Sequence, residues 1–105
     1  MDYEQVVELL RKAGLPYAYD HFEEGEAPDP PFLVYLYPGS HNFAADGKVY
    51  FKVRQLDVEL YTDVKDPVLE ERLEQLFDEA GIVYTKTESF LESEKMYEVL
   101  YETEV

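Results

Sequence analysis

The order of helix-forming and strand-forming segments restricts the fold of this chain more than any other feature of its sequence. Residues 3–13 and 66–80 carry apolar side chains at helical spacing. Asp2 is a good N-cap for the first helix, and Asp66 followed by Pro67 is a typical start for the second. The segments between and after these helices favour strands, and the combination predicts an α+β domain.

Alternating or continuous apolar residues indicate strands. Such segments predict strands at 17–22, 32–37, 49–62, 82–88 and 95–103. Short connections between them favour a mostly antiparallel β-sheet on which the two helices pack. The predicted element order is α-β-β-β-α-β-β. Neither an internal repeat nor a linker divides the chain, so we expect a single domain over residues 1–105.

Two predicted segments leave an alternative open. The run FLVYLY at 32–37 is apolar on both faces, which indicates cover on one side by the core and on the other by a second layer or a neighbouring subunit. Residues 38–48 are predicted to form a long turn region in which Asp46-Gly47 is a hairpin signal. The apolar residues 43–45 within it either fold back on the domain or meet a partner.

The long strand predicted at 49–62 changes phase in its middle. Apolar residues alternate on one face over 49–53 and on the opposite face over 56–60. A one-residue slip moves every later side chain to the other face. We expect either a β-bulge near Arg54-Gln55, which would return the apolar set to one side, or two buried faces in different halves of the strand.

The formal charge of −15 comes from 24 acidic and nine basic residues. Such a surface repels phosphate backbones and anionic lipid, so no nucleic-acid binding and no membrane partner is expected. The acids then keep the protein soluble, or form a surface that DNA passes without binding, or imitate the charges of DNA. No apolar run could span a membrane, and the acidic start of the chain is unlike a signal peptide, which predicts synthesis in the cytoplasm.

Candidate catalytic and metal-binding residues form no pattern. The chain has no cysteine, which excludes disulfides, cysteine nucleophiles and thiolate metal sites. The spacing of His21 and His41 matches no ligand motif, and no glycine-rich phosphate loop occurs. We therefore predict that the protein is not an enzyme and that it takes neither cofactor nor metal.

Tyrosine is abundant, with ten Tyr and six Phe against no Trp. Tyrosine is favoured both on strands and at interfaces, because it joins a large apolar ring to a polar tip. Ordinary sheet composition is one interpretation, and an assembly interface is the other. The residues predicted for such an interface are Tyr35, Tyr37, Phe43, Ala44, Ala45, Tyr97 and Tyr101.

Five motifs in order carry a resemblance to a known class of proteins. They are LPYAYDHF at 15–22, PFLVY at 31–35, NFAADGKVYF at 42–51, VELYTD at 58–63 and ESEKMYEVLY at 92–101. Together they resemble small structural proteins of tailed bacteriophages and of prophages of Gram-positive bacteria, and the element order resembles that of phage tail terminator, or tail completion, proteins. Other head–tail joining and minor structural proteins of the neck are close alternatives.

The resemblance implies a sheet flanked by helices and a homo-oligomer, a hexameric ring that caps the tail tube and joins the tail to the head. Its partners would be the tail tube and neck proteins. Its place would be the virion tail or neck, after assembly in the host cytoplasm. No catalytic residue is carried over from this family.

Other functions compete with this one. An acidic DNA-mimic inhibitor of a host nucleic-acid enzyme would share the charge, but it should present regularly spaced acids on one face, whereas the sequence spreads them over both helices, a loop and the last strand. A small hydrolase or metal-dependent enzyme and a generic adaptor domain are the remaining alternatives.

Overall fold

The computed structural model describes residues 1–45 and 47–105, and it describes their side chains except those of residues 42–45 and 48–51. In the described residues, helix α1 spans Tyr3–Arg11 and helix α2 spans Pro67–Glu79. Six strands accompany them: β1 Tyr17–Tyr19, β2 Phe32–Leu36, β3 Ser40–Ala45, β4 Lys48–Thr62, β5 Tyr84–Leu91 and β6 Met96–Glu104. The described residues thus form one strand more than the sequence predicts.

The strands form one sheet in the order β1-β2-β4-β6-β5, and β3 pairs with the first part of β4. The pairing of β1 with β2 is parallel, and the other pairings are antiparallel. The predicted α+β class, with two helices and a mostly antiparallel sheet, is confirmed.

Strand β4 changes partners in its middle. Residues 55–62 pair with β6, and residues 40–45 of β3 pair along the first part of β4. The long turn predicted over 38–48 is therefore wrong, because most of it is strand. Ala45 pairs with Lys48, so the hairpin signal at Asp46-Gly47 stands where the hairpin turns, although Asp46 itself lies outside the described residues.

The bulge predicted near Arg54-Gln55 is also wrong in its position. The register of the β3–β4 pair shifts between Phe43 and Ala44, which face Phe51 and Val49, so that Tyr50 is the extra residue on β4. The first half of β4 pairs with β3, and the second half pairs with β2 and β6. Because the two halves have different partner strands, their apolar residues need not lie on the same face, and the phase change at 54–55 requires no bulge.

Both helices contribute to a core on one face of the sheet. Val6 and Leu10 of α1 and Leu73 and Phe77 of α2 are buried. The sheet contributes the inward side chains Leu33, Leu56, Val58, Leu60, Val99 and Tyr101. The helices begin where the sequence predicts, since Asp2 accepts a hydrogen bond from the Gln5 N–H (2.8 Å) and Asp66 accepts one from the Leu69 N–H (3.1 Å).

The opposite face of the sheet, called here the helix-free face, carries the alternate residues of the same strands. In β2 these are Phe32, Val34 and Leu36; the first two are buried and Leu36 is half-buried. Phe22 packs edge-on against Phe32 (5.2 Å between ring centroids), and Tyr61 stacks on it (5.1 Å). Most of strand β2 is therefore covered on both faces, as predicted, and the chain itself covers Phe32 and Val34 on the helix-free face.

Candidate functional site

Five tyrosines gather at the β1 edge of the sheet, next to the start of α1. This tyrosine cluster consists of Tyr3, Tyr17, Tyr19, Tyr35 and Tyr37. Ring centroids are 5.1 Å apart for Tyr3–Tyr37, 5.2 Å for Tyr19–Tyr35 and 5.9 Å for Tyr19–Tyr37. Tyr3 is 58% exposed and Tyr19 is 49% exposed. The cluster therefore presents aromatic rings to solvent on a base of half-buried ones.

Strand geometry explains how this cluster forms. Tyr35 and Tyr37 are two residues apart, so they share a face, and the parallel register places Tyr19 beside Tyr35. The Tyr37 N–H donates to the Tyr19 hydroxyl (3.2 Å). The Arg54 guanidinium lies 4.5 Å from the centre of the Tyr3 ring, a cation–π contact.

The phenols at the base of the cluster stay protonated at neutral pH. Burial raises the pKa of Tyr35 and of Tyr37 above the ordinary tyrosine value. The Tyr37 hydroxyl is buried and has no hydrogen-bond partner among the described residues. Tyr35 and Tyr37 thus give the cluster an uncharged aromatic base in a strongly acidic protein.

The structure separates the residues predicted for an interface. Tyr35 and Tyr37 belong to the tyrosine cluster, whereas Tyr97 is half-buried near the other edge and packs against Phe90 (5.0 Å). The side chains of residues 43–45 lie outside the part of the chain that the structure describes.

Tyr101, which the sequence predicts for an assembly interface, does not lie at the surface of the domain. Its side chain is 0% exposed, because it lies under α2, with its ring 5.3 Å from that of Phe77. Its hydroxyl donates to Glu74 (2.7 Å). The alternation in the last strand puts Tyr101 on the correct face, but the sequence does not show that α2 covers that face here.

The members of the cluster that the sequence analysis missed are Tyr3, Tyr17 and Tyr19. The alternation Tyr17-Ala18-Tyr19 was the available signal for two of them, because it places both rings on one side of a strand. The contact with Tyr3 joins a helix to that strand pair, and no local pattern predicts it.

A group of ionisable side chains converges between α2 and β5. Lys86 contacts Glu70 and Glu74, each at 2.8 Å, and Lys65 contacts Glu70 (2.5 Å) and Glu88. Burial alone would raise the pKa of Glu70, but hydrogen bonds from Lys65 and Lys86 outweigh it and lower the pKa below the ordinary value. Hydrogen bonds to the carboxylates in turn raise the pKa of both lysines, so Glu70, Lys65 and Lys86 stay charged near neutral pH.

The helix-free face carries a group of acids. Asp57 of β4 lies directly opposite Glu102 of β6. Glu59 of β4 lies diagonally across from Glu98 of β6, which is opposite Tyr61. The Tyr61 hydroxyl donates to Glu98 (3.2 Å) and Glu59 (3.4 Å). Burial and the neighbouring Glu102 raise the pKa of Asp57, and burial and Glu98 raise that of Glu59.

Replacing Asp57 by Asn is expected to raise the free energy of unfolding by about 0.2–1 kcal/mol at pH 7, because it removes a like-charge pair across two strands. The folded pKa of Asp57 is raised, so its destabilising effect is complete above that pKa and disappears as pH falls towards the unfolded value. Urea denaturation at pH 7 and pH 4 should therefore show a gain that shrinks at pH 4. Asp63→Asn, at an exposed position, is the control; an equal gain there would contradict the explanation.

The histidines lie apart. His21 is exposed, and its hydrogen bond with Asp20 (3.0 Å) raises its pKa, while His41 Nε2 lies 3.8 Å from a Glu104 carboxylate oxygen. Among the residues whose placement is described, no group of three His, Asp or Glu is arranged to hold a metal ion. None of the helices in the described part of the chain is long and apolar enough to cross a lipid bilayer.

The fold and its surfaces define an α+β domain with two helices on one face of a sheet, an aromatic edge and an acidic helix-free face. No protein-family model matches the sequence, and no curated protein matches it either.

Proposed function

We propose that this protein is a non-enzymatic structural component of a tailed phage or prophage, a tail terminator or head–tail joining protein that forms a ring on the tail tube. The observation that supports this proposal is the tyrosine cluster, which exposes Tyr3 and Tyr19 at one edge of the sheet. An α+β domain with helices packed on a sheet is the fold that the resemblance to tail terminators implies.

Charge explains why assembly would use this surface. Copies that each carry −15 repel one another, so a contact between them must avoid the acidic surface. The tyrosine cluster offers the neutral phenols of Tyr35 and Tyr37, with the guanidinium of Arg54 beside Tyr3 and that of Arg11 beside Tyr17. Tyrosine and arginine are also the residues that most often contribute large binding energies at interfaces.

A ring requires a heterologous contact, in which one surface meets a different surface of the next copy. The β3–β4 hairpin is an element available for that second surface. Strand β3 pairs with β4 on one side, and its other side has no strand partner among the described residues. The tyrosine cluster of one copy and the hairpin of the next are therefore our candidate pair.

Replacing Tyr3 and Tyr19 together by Ser is expected to weaken assembly at least tenfold, because the exposed rings provide most of the contact area of the cluster. Light scattering coupled to size-exclusion chromatography, with negative-stain electron microscopy, would measure ring formation alone and on isolated tail tubes. Val68→Ser, at an exposed apolar position on α2, is the matched control. Wild-type protein that neither forms rings nor binds tubes would overturn the proposal, as would a double variant that assembles like the wild type.

Mimicry of DNA is the second candidate, and the acidic helix-free face favours it. Asp57 and Glu59, two residues apart on β4, are separated by about 6.8 Å along the strand, and Glu98 and Glu102 lie on β6 next to them. In a pull-down from host lysate, recovery of tail proteins supports assembly. Recovery of a nuclease or polymerase that the Asp57→Asn and Glu59→Gln double variant no longer captures supports mimicry.

A further inference from the structure

Strand β5 is a long sheet edge without the usual protection against pairing with another chain. It pairs with β6 over all eight residues with no register shift, and its outer side has no strand partner in the described part of the chain. Natural edge strands are protected by proline, bulges or free charged side chains. Here there is no proline, and both charges of the strand, Lys86 and Glu88, are held in the network with α2 and Lys65.

Exposed apolar side chains lie at both ends of this edge. Val83, just before β5, is 87% exposed, and Phe90, near its end, is 46% exposed. The residues between them on the helix-free face are Thr85, Thr87 and Ser89, which are exposed and uncharged. The edge therefore combines an open backbone with neutral and apolar side chains, unlike the acidic surface elsewhere.

The sequence of β5 is complementary to itself in one antiparallel register. If a twofold axis passes through Thr87, Lys86 faces Glu88 of a second copy, and Tyr84 faces Phe90 of that copy. On the helix-free face Thr85 then faces Ser89. Opposite charges, aromatic pairs and hydroxyl pairs are the favourable cross-strand combinations.

Neighbouring registers lack this complementarity. Moving the axis to Lys86 places two lysines directly opposite each other, and moving it to Glu88 does the same with two glutamates. Like charges directly opposite each other destabilise a strand pair. An axis between two residues would bring a helix-side residue against a helix-free-face residue, which an antiparallel pair does not allow because opposite residues share a face.

We propose that two copies of this protein pair antiparallel along β5 around a twofold axis at Thr87, so that the sheet continues from one copy into the other. The contact is isologous and closes at two copies, whereas the proposed ring requires a heterologous contact. The two contacts also use opposite edges of the sheet, β5 and β1, and they can be tested separately.

One introduced cysteine tests the register, because the chain has no cysteine of its own that could form a competing disulfide. Opposite residues in an antiparallel pair have Cα atoms about 4.5–5.5 Å apart, within the range of a disulfide. Thr87→Cys is therefore expected to give a disulfide-linked dimer under mild oxidation, read on a non-reducing gel. In the matched control Thr85→Cys the two cysteines would lie about 14 Å apart along the strands, and no such dimer should form. Equal cross-linking of both variants, or none in Thr87→Cys, would overturn the proposal.

Charged substitutions at Thr87, on the twofold axis, provide a second test that does not depend on a disulfide bond. Thr87→Glu and Thr87→Lys are each expected to weaken dimerisation at least tenfold in analytical ultracentrifugation, since each places like charges opposite one another. An equimolar mixture should restore a dimer, with the heterodimer mass in native mass spectrometry. Ser93→Glu, in the turn after β5, is the control, and the Tyr3→Ser, Tyr19→Ser double variant should dimerise like the wild type. A monomeric wild type, or single variants that dimerise normally, would contradict the β5 contact.

Discussion

Replacing Phe77 by alanine is expected to lower the free energy of unfolding by about 3–5 kcal/mol. Phe77 is fully buried, and its ring lies 5.3 Å from that of Tyr101 and 5.6 Å from that of Tyr84. Alanine would leave a cavity where α2 meets β5 and β6, and two aromatic rings would lose their common neighbour. For a domain whose total stability is on the order of 5–15 kcal/mol, this is a large share.

Urea denaturation at 25 °C measures this cost directly. Val68→Ala, on the same helix but exposed, is the matched control and should change the free energy of unfolding by less than about 0.5 kcal/mol. A cost below about 1 kcal/mol for Phe77→Ala would mean that α2 does not pack on the sheet at this position. The same measurement also checks the buried position of Tyr101, which the sequence did not predict.

The helices were the most predictable part of the fold, because their signals are local. Asp2 and Asp66 each accept a hydrogen bond from a backbone N–H three residues later, as a cap should. Gly14 and Gly81, with φ of +72° and +71°, follow the helix ends, and glycine after an apolar helical pattern is a local signal for such an end. Such patterns need no knowledge of the tertiary structure.

Strand β3 and the burial of Tyr101 were not predictable in the same way. Residues 40–45 consist of three polar residues followed by Phe43 and two alanines, a composition that does not alternate like a strand, and their strand conformation comes from pairing with β4. Alternation along β6 groups Tyr97, Val99 and Tyr101 correctly, but α2 covers only part of that face. Where a helix lies over a strand is a tertiary fact, and a period-two pattern contains no information about it.

The tyrosine cluster shows the same limit for the candidate site. Its members come from α1, from the parallel pair β1–β2 and from the residue after β2, and they meet because Tyr19 lies beside Tyr35 in the parallel register. A sequence pattern predicts which residues share a face of one strand. It does not predict which strand or helix packs beside that face. Tyr35 and Tyr37 were therefore identified without Tyr3, Tyr17 and Tyr19, which lie next to them.

Replacing Glu70 by alanine is expected to lower the free energy of unfolding by about 1–3 kcal/mol at pH 7. Glu70 is buried and contacts both Lys65 and Lys86, so its removal leaves two ammonium groups with fewer partners. Removing one partner of a fully buried ion pair costs about 3–5 kcal/mol. The cost is smaller here because both lysines are partly exposed and keep Glu88 and Glu74 as partners, so no buried charge is left unpaired.

The pH dependence separates this ionic contribution from a simple loss of packing. Because the folded pKa of Glu70 is lowered, its stabilising effect is present above the unfolded value of about 4.3 and is lost as pH falls through the folded pKa. The difference between wild type and Glu70→Ala in urea denaturation should therefore be largest near pH 7 and should shrink below about pH 4. Glu71→Ala, exposed on the same helix, is the control and should not show this cost. A cost that stays constant from pH 7 to pH 3 would mean that Glu70 contributes by packing alone, and the ion pairs between α2 and β5 would then not stabilise the fold.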